Sequence, residues 1–129
     1  MATVHQIVQT DNAPAALGPY SQAIIANGFV FCSGSIGMNP KTGEVPNGVE
    51  AQTEQVFANL AAVLKTANSS FSQIVKTTVF LKDLNDFVAV NNVYAKNMNG
   101  ALPARACVEV ARLPKDVLVE IECIATVSA

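Results

Sequence analysis

Two amphipathic helical segments, each lying between β-strand patterns, constrain the fold of this chain more than any other feature. The first predicted helix covers about residues 48–67 and the second about 86–98, and in both the apolar residues recur at the three- and four-residue spacing of a buried helix face. The apolar positions are Val49, Val56, Phe57, Leu60, Val63, Leu64 and Ala67 in the first helix, and Phe87, Val90, Val93, Tyr94 and Met98 in the second. Asn47 is expected to be the N-cap of the first helix, with Glu50 completing a capping box.

The remaining apolar segments are predicted as strands and give the element order β-β-β-α-β-α-β-β. Asn27-Gly28 between two apolar runs predicts a hairpin with a type I′ turn, because both turn residues must reach positive φ. The predicted strands are residues 4–8, 23–26, 29–32, 74–82, 104–111 and 117–127. Each helix bridges two strands, so both helices are expected on one face of a single mixed sheet. The sequence therefore predicts an α+β fold of about six strands, in one domain over residues 1–129.

The second face of this sheet is left without a covering element. Its strands carry Val, Ile and Phe, and no further chain remains to cover them. Charged residues make up only 14% of the chain, against about 25% in an average protein. An uncovered apolar sheet face is typical of a partner surface, and homo-oligomerisation is the simplest way to cover it.

Charge and cysteine content argue against several classes of protein. The net charge is −2 and like charges form no run, so the basic stripe of a nucleic-acid-binding protein is missing. No apolar run approaches the ~18 residues of a membrane span, and the first ten residues resemble neither a secretory signal nor a transit peptide. Cys32, Cys107 and Cys123 form no C-x-x-C pair and His5 is the single histidine, so we expect reduced thiols and no metal. These features predict a cytoplasmic protein, or one of the mitochondrial matrix if a transit peptide has been removed.

Polar residues alternate with apolar ones in the last two strands. Arg105, Cys107 and Glu109 share one side of their strand, and Glu120 and Glu122 share one side of the last strand. Both polar sets are expected on the uncovered face, where they would form a charged cluster. Two interpretations stay open: an Arg–Glu ion pair between strands or subunits, or an anion site in which the guanidinium binds a carboxylate and a glutamate acts on water.

Three further residues are candidates on weaker grounds. Cys107 has no neighbouring histidine, which is more typical of a packing residue than of a nucleophile. Tyr20 follows a Gly-Pro turn and either packs at an edge or covers a pocket. Ser33 and Gly34 weakly resemble the start of a backbone-amide anion nest.

Four segments together resemble the RidA (YjgF) family of reactive enamine/imine deaminases. They are residues 13–22 (APAALGPYSQ), 33–34 (SG), 75–87 (VKTTVFLKDLNDF) and 103–114 (PARACVEVARLP). The resemblance covers essentially the whole chain. It implies a fold similar to trimeric chorismate mutase, in which two helices cover one face of a mixed sheet and three sheets form a central barrel. Such a homotrimer would cover the exposed face.

The resemblance also implies an activity and a site. The activity is cofactor-free hydrolysis of 2-aminoacrylate/2-iminopropanoate and 2-iminobutanoate to 2-keto acids and ammonia, which protects pyridoxal-phosphate enzymes from damage. The site lies between neighbouring subunits. Matched residue by residue, the family pattern gives Arg105 as the carboxylate-binding arginine, Glu120 as the water-orienting glutamate, Tyr20 and Ser33 as further catalytic groups, and Gly34, Cys107 and again Tyr20 as substrate-binding residues.

Two departures from the family pattern bear on local structure. Ser35-Ile36-Gly37 stands where many members have Gln-Ile-Pro or Gln-Leu-Pro, and glycine in place of proline is expected to loosen this loop. The segment 95–102 is a few residues shorter than the corresponding segment of many members, which affects the end of the second helix.

An alternative function is a non-enzymatic trimer that senses a small keto or amino acid, or acts as a chaperone, through the same cleft. The presence of Arg105 favours the enzyme. A ribonuclease is disfavoured because the chain has neither a basic surface nor a pair of histidines.

Overall fold

The predicted element order is confirmed by the structure, a computed structural model that describes residues 5–129. Within this range the chain forms a six-stranded mixed sheet and two α-helices. The elements are β1 (Gln6–Val8), β2 (Ala23–Ala26), β3 (Phe29–Ile36), α1 (Val49–Thr66), β4 (Ile74–Leu81), α2 (Phe87–Met98), β5 (Ala104–Glu109) and β6 (Val119–Thr126). The predicted first strand began at Val4, which lies outside the described residues.

The strand order β1-β2-β3-β6-β4-β5 explains why both helices lie on one face. β4 and β5 run parallel and are joined by α2, while β6 is inserted between β3 and β4 and runs antiparallel to both. β3 and β4 are therefore also parallel, with α1 as their connection, so each helix crosses back over the sheet between parallel strands. Neither helix of the described chain is long and apolar enough to cross a membrane.

The core lies between the helices and this covered face. Alternate residues of the central strands point into it, including Val79, Val119 and Ile121, all of which are fully buried. Phe57 of α1 contacts the Tyr94 ring of α2 edge to face, with 5.6 Å between the ring centroids. The helical stripes predicted from the sequence thus meet each other and the sheet.

The opposite face of the sheet is uncovered in the described chain, as expected. Strand pairing aligns a row of side chains across this face: Ile7, Ile24, Phe31, Ile124, Lys76 and Ala104. A second row runs from Ile36 through Glu120 and Phe80 to Val108. Ile7 is 68% exposed, and Phe31 and Val108 are exposed by 45% and 43%, which is unusual for large apolar residues.

Of the two local predictions, the hairpin turn is confirmed and the helix cap is wrong. Asn27 and Gly28 adopt φ values of 55° and 83°, so the predicted type I′ hairpin turn is confirmed. The predicted Asn47 cap is wrong: the N-cap is Gly48, with φ of 91° and no side-chain cap. Gln52 of α1 ties the preceding loop to the helix, because its side-chain amide donates to the Pro46 carbonyl oxygen at 3.1 Å.

Gly37, in the loop that follows β3, packs closely against α1. It is buried against α1, and a Cβ at this position would lie 2.5 Å from the Gln52 carbonyl oxygen. Asn59 of α1 also donates hydrogen bonds to the carbonyl oxygens of Ile36 and Met38, at 3.1 and 2.9 Å. The absence of a side chain therefore allows this loop to pack tightly against the helix backbone.

Replacing Gly37 by alanine is expected to destabilise the fold by about 1–3 kcal/mol, the usual cost of overpacking. The added methyl group meets backbone atoms of α1, which cannot rotate away. Denaturant unfolding of Gly37→Ala measures the effect. Gly18→Ala is the matched control, because its Cβ makes only ordinary contacts of 3.5 Å or more. Equal unfolding free energies for the two variants would contradict this role of Gly37.

Candidate functional site

The candidate site residues form two groups at different places in the fold. Tyr20, Ser33, Gly34 and Glu120 lie around the end of β3 and are called the Tyr20 cluster below. Arg105 and Cys107 lie on the edge strand β5 and, together with the α2 side chains that contact Arg105, are called the Arg105 cluster.

The Tyr20 cluster is built on an irregularity in the pairing of β3 with β6. The register shifts between Cys32 and Ser35, which is the signature of a β-bulge at Ser33 and Gly34. The Ser33 hydroxyl donates to the Ser21 carbonyl oxygen at 2.6 Å, and the Ser33 backbone N–H donates to the Gln22 carbonyl oxygen at 3.0 Å. Since its proton is already donated, the Ser33 oxygen is oriented to accept a hydrogen bond from a ligand.

Gln22 fixes the loop that carries Tyr20. Its buried side chain donates to the carbonyl oxygens of Thr10 and Pro14 at 3.0 and 2.8 Å, and accepts from the Thr10 backbone N–H at 2.7 Å. Tyr20 itself is 56% exposed. This loop, the β3 bulge and α1 enclose a cavity of about 250 Å³, lined by Tyr20, Ser33 and Gly34 on one side and by Leu60 and Val63 on the other.

Glu120 lies directly against Gly34. A Cβ on Gly34 would be only 2.8 Å from the Glu120 carboxyl carbon and from one of its oxygens. Burial raises the pKa of Glu120 above its usual range, and the neighbouring Glu122 charge raises it further. A carboxylate with a raised pKa is a stronger base, which suits a group that takes a proton from water.

Gly34→Ala is expected to leave the chain folded and to lower turnover about tenfold, because the methyl group displaces the Glu120 carboxylate from its place. Circular dichroism and steady-state assays on the same preparation separate the two effects. Adding Glu120→Asp, which shortens the acid by one methylene, should recover part of the activity lost in Gly34→Ala. A fully active Gly34→Ala protein would show that this contact has no catalytic consequence.

The Arg105 side chain is held by α2. Its guanidinium donates to the Asn91 side-chain oxygen at 2.7 Å. The guanidinium carbon also lies 4.9 Å from the centre of the Tyr94 ring and 5.6 Å from that of Phe87. The Tyr94 hydroxyl is itself fixed by a 2.8 Å hydrogen bond with Thr77. Arg105 is exposed and makes no salt bridge with any carboxylate of residues 5–129, so its charge is available to an anion.

Cys107 lies two residues along from Arg105 and packs partly against the core. Burial raises the pKa of its thiol, and the positive charge of Arg105 only partly offsets this. The thiol is therefore protonated at neutral pH and is a poor nucleophile. This agrees with the interpretation of Cys107 as a residue that lines a site.

Cys107→Ser is accordingly expected to keep measurable activity, within about tenfold of the parent, because water is the nucleophile in the hydrolysis that the family resemblance implies. A deaminase assay on the purified variant checks this result. Complete loss of activity in a folded Cys107→Ser protein would point instead to covalent catalysis by the thiol.

The expectation that both polar sets share the uncovered face is wrong for β5. Arg105 pairs with Thr77 and Cys107 pairs with Val79 in the parallel register, and both partners are buried on the helix side. Arg105 therefore lies on the helix side, whereas Glu120 lies on the uncovered face and on a strand separated from β5 by β4. No Arg105–Glu120 ion pair forms within the described part of the chain.

Sequence reasoning also missed Asn91 as a partner of Arg105. Phe87 and Tyr94 were assigned to the core stripe of α2, and Asn91 was not singled out. A signal was present, since residues 87, 91 and 94 follow the four- and three-residue spacing of one helix face. Among residues 5–129, no three His, Cys, Asp or Glu side chains cluster in a way that could hold a metal ion.

Comparison with known proteins gives a family match over most of the chain. A sequence model of the family described as Endoribonuclease L-PSP matches residues 10–127. The chain is 53% identical over 121 residues to 2-iminobutanoate/2-iminopropanoate deaminase of Escherichia coli, covering 92% of this chain and 94% of that protein. It is 52% identical over 122 residues to Reactive Intermediate Deaminase A, chloroplastic, of Arabidopsis thaliana, covering 94% of this chain and 65% of that protein.

A solved structure agrees with the fold. The crystal structure of TdcF from Escherichia coli with bound serine superposes with a TM-score of 0.91 at 44% sequence identity. The match covers 95% of this chain and 99% of that one. The architecture described above is thus that of an experimentally determined structure.

Proposed function

Because the chain belongs to the Endoribonuclease L-PSP (RidA/YjgF) family, we propose that it hydrolyses small 2-imino acids and their enamine forms to 2-keto acids and ammonia. The observation that carries the proposal is the 53% identity, over 92% of the chain, to a protein named 2-iminobutanoate/2-iminopropanoate deaminase. In this proposal the protein acts without a cofactor and protects pyridoxal-phosphate enzymes from the reactive intermediates that they release.

The reaction asks little of the protein. The imine carbon is already electrophilic, so the site must hold the substrate carboxylate, position a water molecule and move a proton. In the proposed mechanism Arg105 binds the carboxylate through two parallel hydrogen bonds. Glu120 orients the water and takes its proton as the water oxygen adds to the imine carbon. The same proton then passes to the nitrogen, which gives the carbinolamine. Glu120 next takes the hydroxyl proton and returns it to the nitrogen as the C–N bond breaks, so that the carbonyl forms and ammonia leaves.

The other four residues shape the site in this mechanism. The Ser33 oxygen accepts a hydrogen bond from the imine N–H or from the water, since its own proton is donated to Ser21. Gly34 leaves room for substrate beside Glu120, and Tyr20 and Cys107 line the cleft.

We further propose that each site is formed by two copies of the chain. Arg105 and Glu120 lie on opposite faces of the sheet with β4 between their strands, a lateral separation of about 10 Å before the sheet thickness is added. One small imino acid cannot contact both within one chain. The Arg105 cluster at the β5 edge of one copy and the Tyr20 cluster of the next can bind one substrate together if that edge lies beside the neighbouring copy.

A homotrimer is the assembly we propose, with the exposed apolar rows on its inside. The low charge content of 14% and the exposed Ile7, Phe31 and Val108 support burial of this face between copies. Light scattering after size exclusion, at micromolar protein, should give three times 13.5 kDa. A stable monomer would exclude both the barrel and the shared site.

The activity is tested by generating 2-aminoacrylate with a serine dehydratase and following pyruvate release. The protein should raise the rate above the spontaneous one, and Arg105→Ala should remove most of the increase. If the protein leaves the spontaneous rate unchanged while binding a 2-keto acid, the alternative of a non-enzymatic sensing trimer is the correct one. We do not propose a ribonuclease, in spite of the family's description, because the chain has one histidine and no basic run.

A further inference from the structure

A cavity that the site described above does not include lies beside Arg105. Its volume is about 390 Å³, within the range of roughly 300–1,000 Å³ that is typical of small-molecule sites. Arg105 and Asn91 line it together. The remaining lining residues come from the second half of α2 and from the segment that leads into β5: Tyr94, Ala95, Gly100, Ala101, Leu102 and Pro103. The Arg105 guanidinium thus adjoins a space that is otherwise walled by small and apolar groups.

The polar side-chain groups at this cavity lie together, and those that remain free are N–H donors. The Asn91 side-chain oxygen accepts from Arg105 at 2.7 Å, which leaves the Asn91 amide N–H groups and the other guanidinium N–H groups for a ligand. The Tyr94 hydroxyl is hydrogen-bonded to the buried Thr77 at 2.8 Å, so Tyr94 offers its ring to the cavity. No carboxylate of residues 5–129 lines this space. A ligand here therefore needs one anionic group beside Arg105 and finds no other charged side chain.

A tight reversal of the chain after α2 forms the apolar part of the cavity wall. The helix ends at Met98, Asn99 and Gly100 have φ values of 50° and 91°, and the Ala101 N–H donates to the Met98 carbonyl oxygen at 3.1 Å. Gly100 has no side chain and Ala101 has a single methyl group, so this segment fills little of the space. Leu102, which follows, is 95% exposed and is free to cover an apolar ligand group. The wall thus comes from the segment that is shorter than in many family members.

We propose that this cavity receives the substrate side chain and makes the protein selective for 2-imino acids with a large apolar side chain, such as that of leucine or methionine. The inference rests on the part of the proposed function in which Arg105 binds the substrate carboxylate. In a 2-imino acid the carboxylate and the side chain are attached to the same carbon atom. A substrate held by Arg105 can therefore place its side chain in the adjoining cavity while its imine carbon remains accessible to Glu120 of the neighbouring copy.

Burial of apolar surface supplies this selectivity. Each methylene group removed from water strengthens binding by about fourfold. A substrate with a longer apolar side chain therefore gains affinity that 2-iminopropanoate, with its single methyl group, cannot gain. A polar side chain of the same size gives up its hydrogen bonds to water and finds no side-chain partner away from Arg105 and Asn91. The cavity thus favours apolar over polar side chains of equal size.

Calorimetry with three 2-keto acids, the stable products of the proposed reaction, tests the selectivity. 4-Methyl-2-oxopentanoate has the leucine side chain and should bind the parent protein at least about tenfold more tightly than pyruvate. 2-Oxosuccinamate has nearly the same shape, with an amide in place of the two methyl groups, and should bind about tenfold or more weakly than 4-methyl-2-oxopentanoate. Similar dissociation constants for all three acids would overturn the proposal.

Ala95→Leu locates the selectivity in this cavity. Ala95 lines the cavity from α2 and is exposed, so leucine is accommodated by the helix and occupies the space of the ligand side chain. The dissociation constants of 4-methyl-2-oxopentanoate and pyruvate should then differ by less than about threefold. Ala58→Leu is the matched control, because Ala58 is an exposed residue of α1 that does not line the cavity, and it should keep the parent ratio. An unchanged ratio in a folded Ala95→Leu protein would contradict the proposal.

The binding measurements separate this inference from the proposed reaction. A protein that accelerates hydrolysis of 2-aminoacrylate but binds the three keto acids equally is a deaminase without a side-chain pocket, and the inference is then wrong. A protein that shows the expected preference but leaves the spontaneous rate unchanged has the pocket without the proposed activity.

Discussion

Mixed trimers that contain both an Arg105→Ala chain and a Glu120→Gln chain are expected to recover about a third of the parent activity, although each variant alone is nearly inactive. The reason is the placement of the two side chains on opposite faces of the sheet, on strands separated by β4. If each site takes Arg105 from one copy and Glu120 from the next, a trimer with two chains of one kind and one of the other has one intact site in three.

The experiment uses two affinity tags. The variants are refolded together, and trimers that carry both tags are purified so that only mixed assemblies are assayed. Trimers of each variant alone, passed through the same procedure, give the background. Mixed trimers that stay at this background would show that Arg105 and Glu120 do not act across a shared site.

A comparison of Arg105→Lys with Glu120→Gln separates carboxylate binding from proton transfer. Arg105→Lys keeps the charge but loses the planar fork that binds a carboxylate with two hydrogen bonds. The loss should cost about 2–5 kcal/mol, which is at least about 30-fold in kcat/KM. Binding of a 2-keto acid, measured by calorimetry, should weaken in this variant.

Glu120→Gln should lower turnover rather than ligand affinity. It keeps the shape but removes the base, so kcat should fall by about 10²–10⁴-fold while affinity for a 2-keto acid is mostly retained. If Arg105→Lys and Glu120→Gln both bind the keto acid and deaminate at the parent rate, these residues are only structural charges at an interface.

The pKa of Glu120 adds a pH dependence to this comparison. Because burial raises the pKa, the carboxylate is protonated at a higher pH than an ordinary glutamate, and the base is lost as the pH falls through that value. The raised pKa also means that the ionised group opposes folding above the ordinary glutamate pKa, and that this cost is relieved as the pH falls. Glu120→Gln should therefore be slightly more stable than the parent at neutral pH, while being less active.

The sequence predicted those elements whose signals are local. Asn27-Gly28 specified its hairpin because few other residues reach two successive positive φ values. The stripes of α1 and α2 followed from spacing alone. The cap of α1 was not predicted in the same way: Asn47 has the side chain typical of an N-cap, but the helix begins after Gly48, whose φ of 91° is a backbone conformation that favours glycine.

For the candidate site, the sequence did not predict on which face of the sheet the β5 residues lie. Alternation indicates which residues of β5 share a face, but not which face that is. The face on which Arg105 lies depends on the register between β5 and β4, in which Arg105 pairs with Thr77. This register cannot be predicted from the residues of either strand alone. The same applies to Gly37, whose close approach to Gln52 is visible only once α1 has packed.

The placement of Arg105 and Glu120 on opposite faces also has a consequence for the cell. In the proposed mechanism a newly synthesised chain carries every group of the site and is inert until it assembles, because Arg105 and Glu120 of one copy lie on opposite faces of the sheet. Specific activity then follows mass action: it should fall when the protein is diluted below the dissociation constant of the trimer and return on concentration. The concentration of the protein would thus determine both the number of sites and the fraction of chains that are assembled into active trimers.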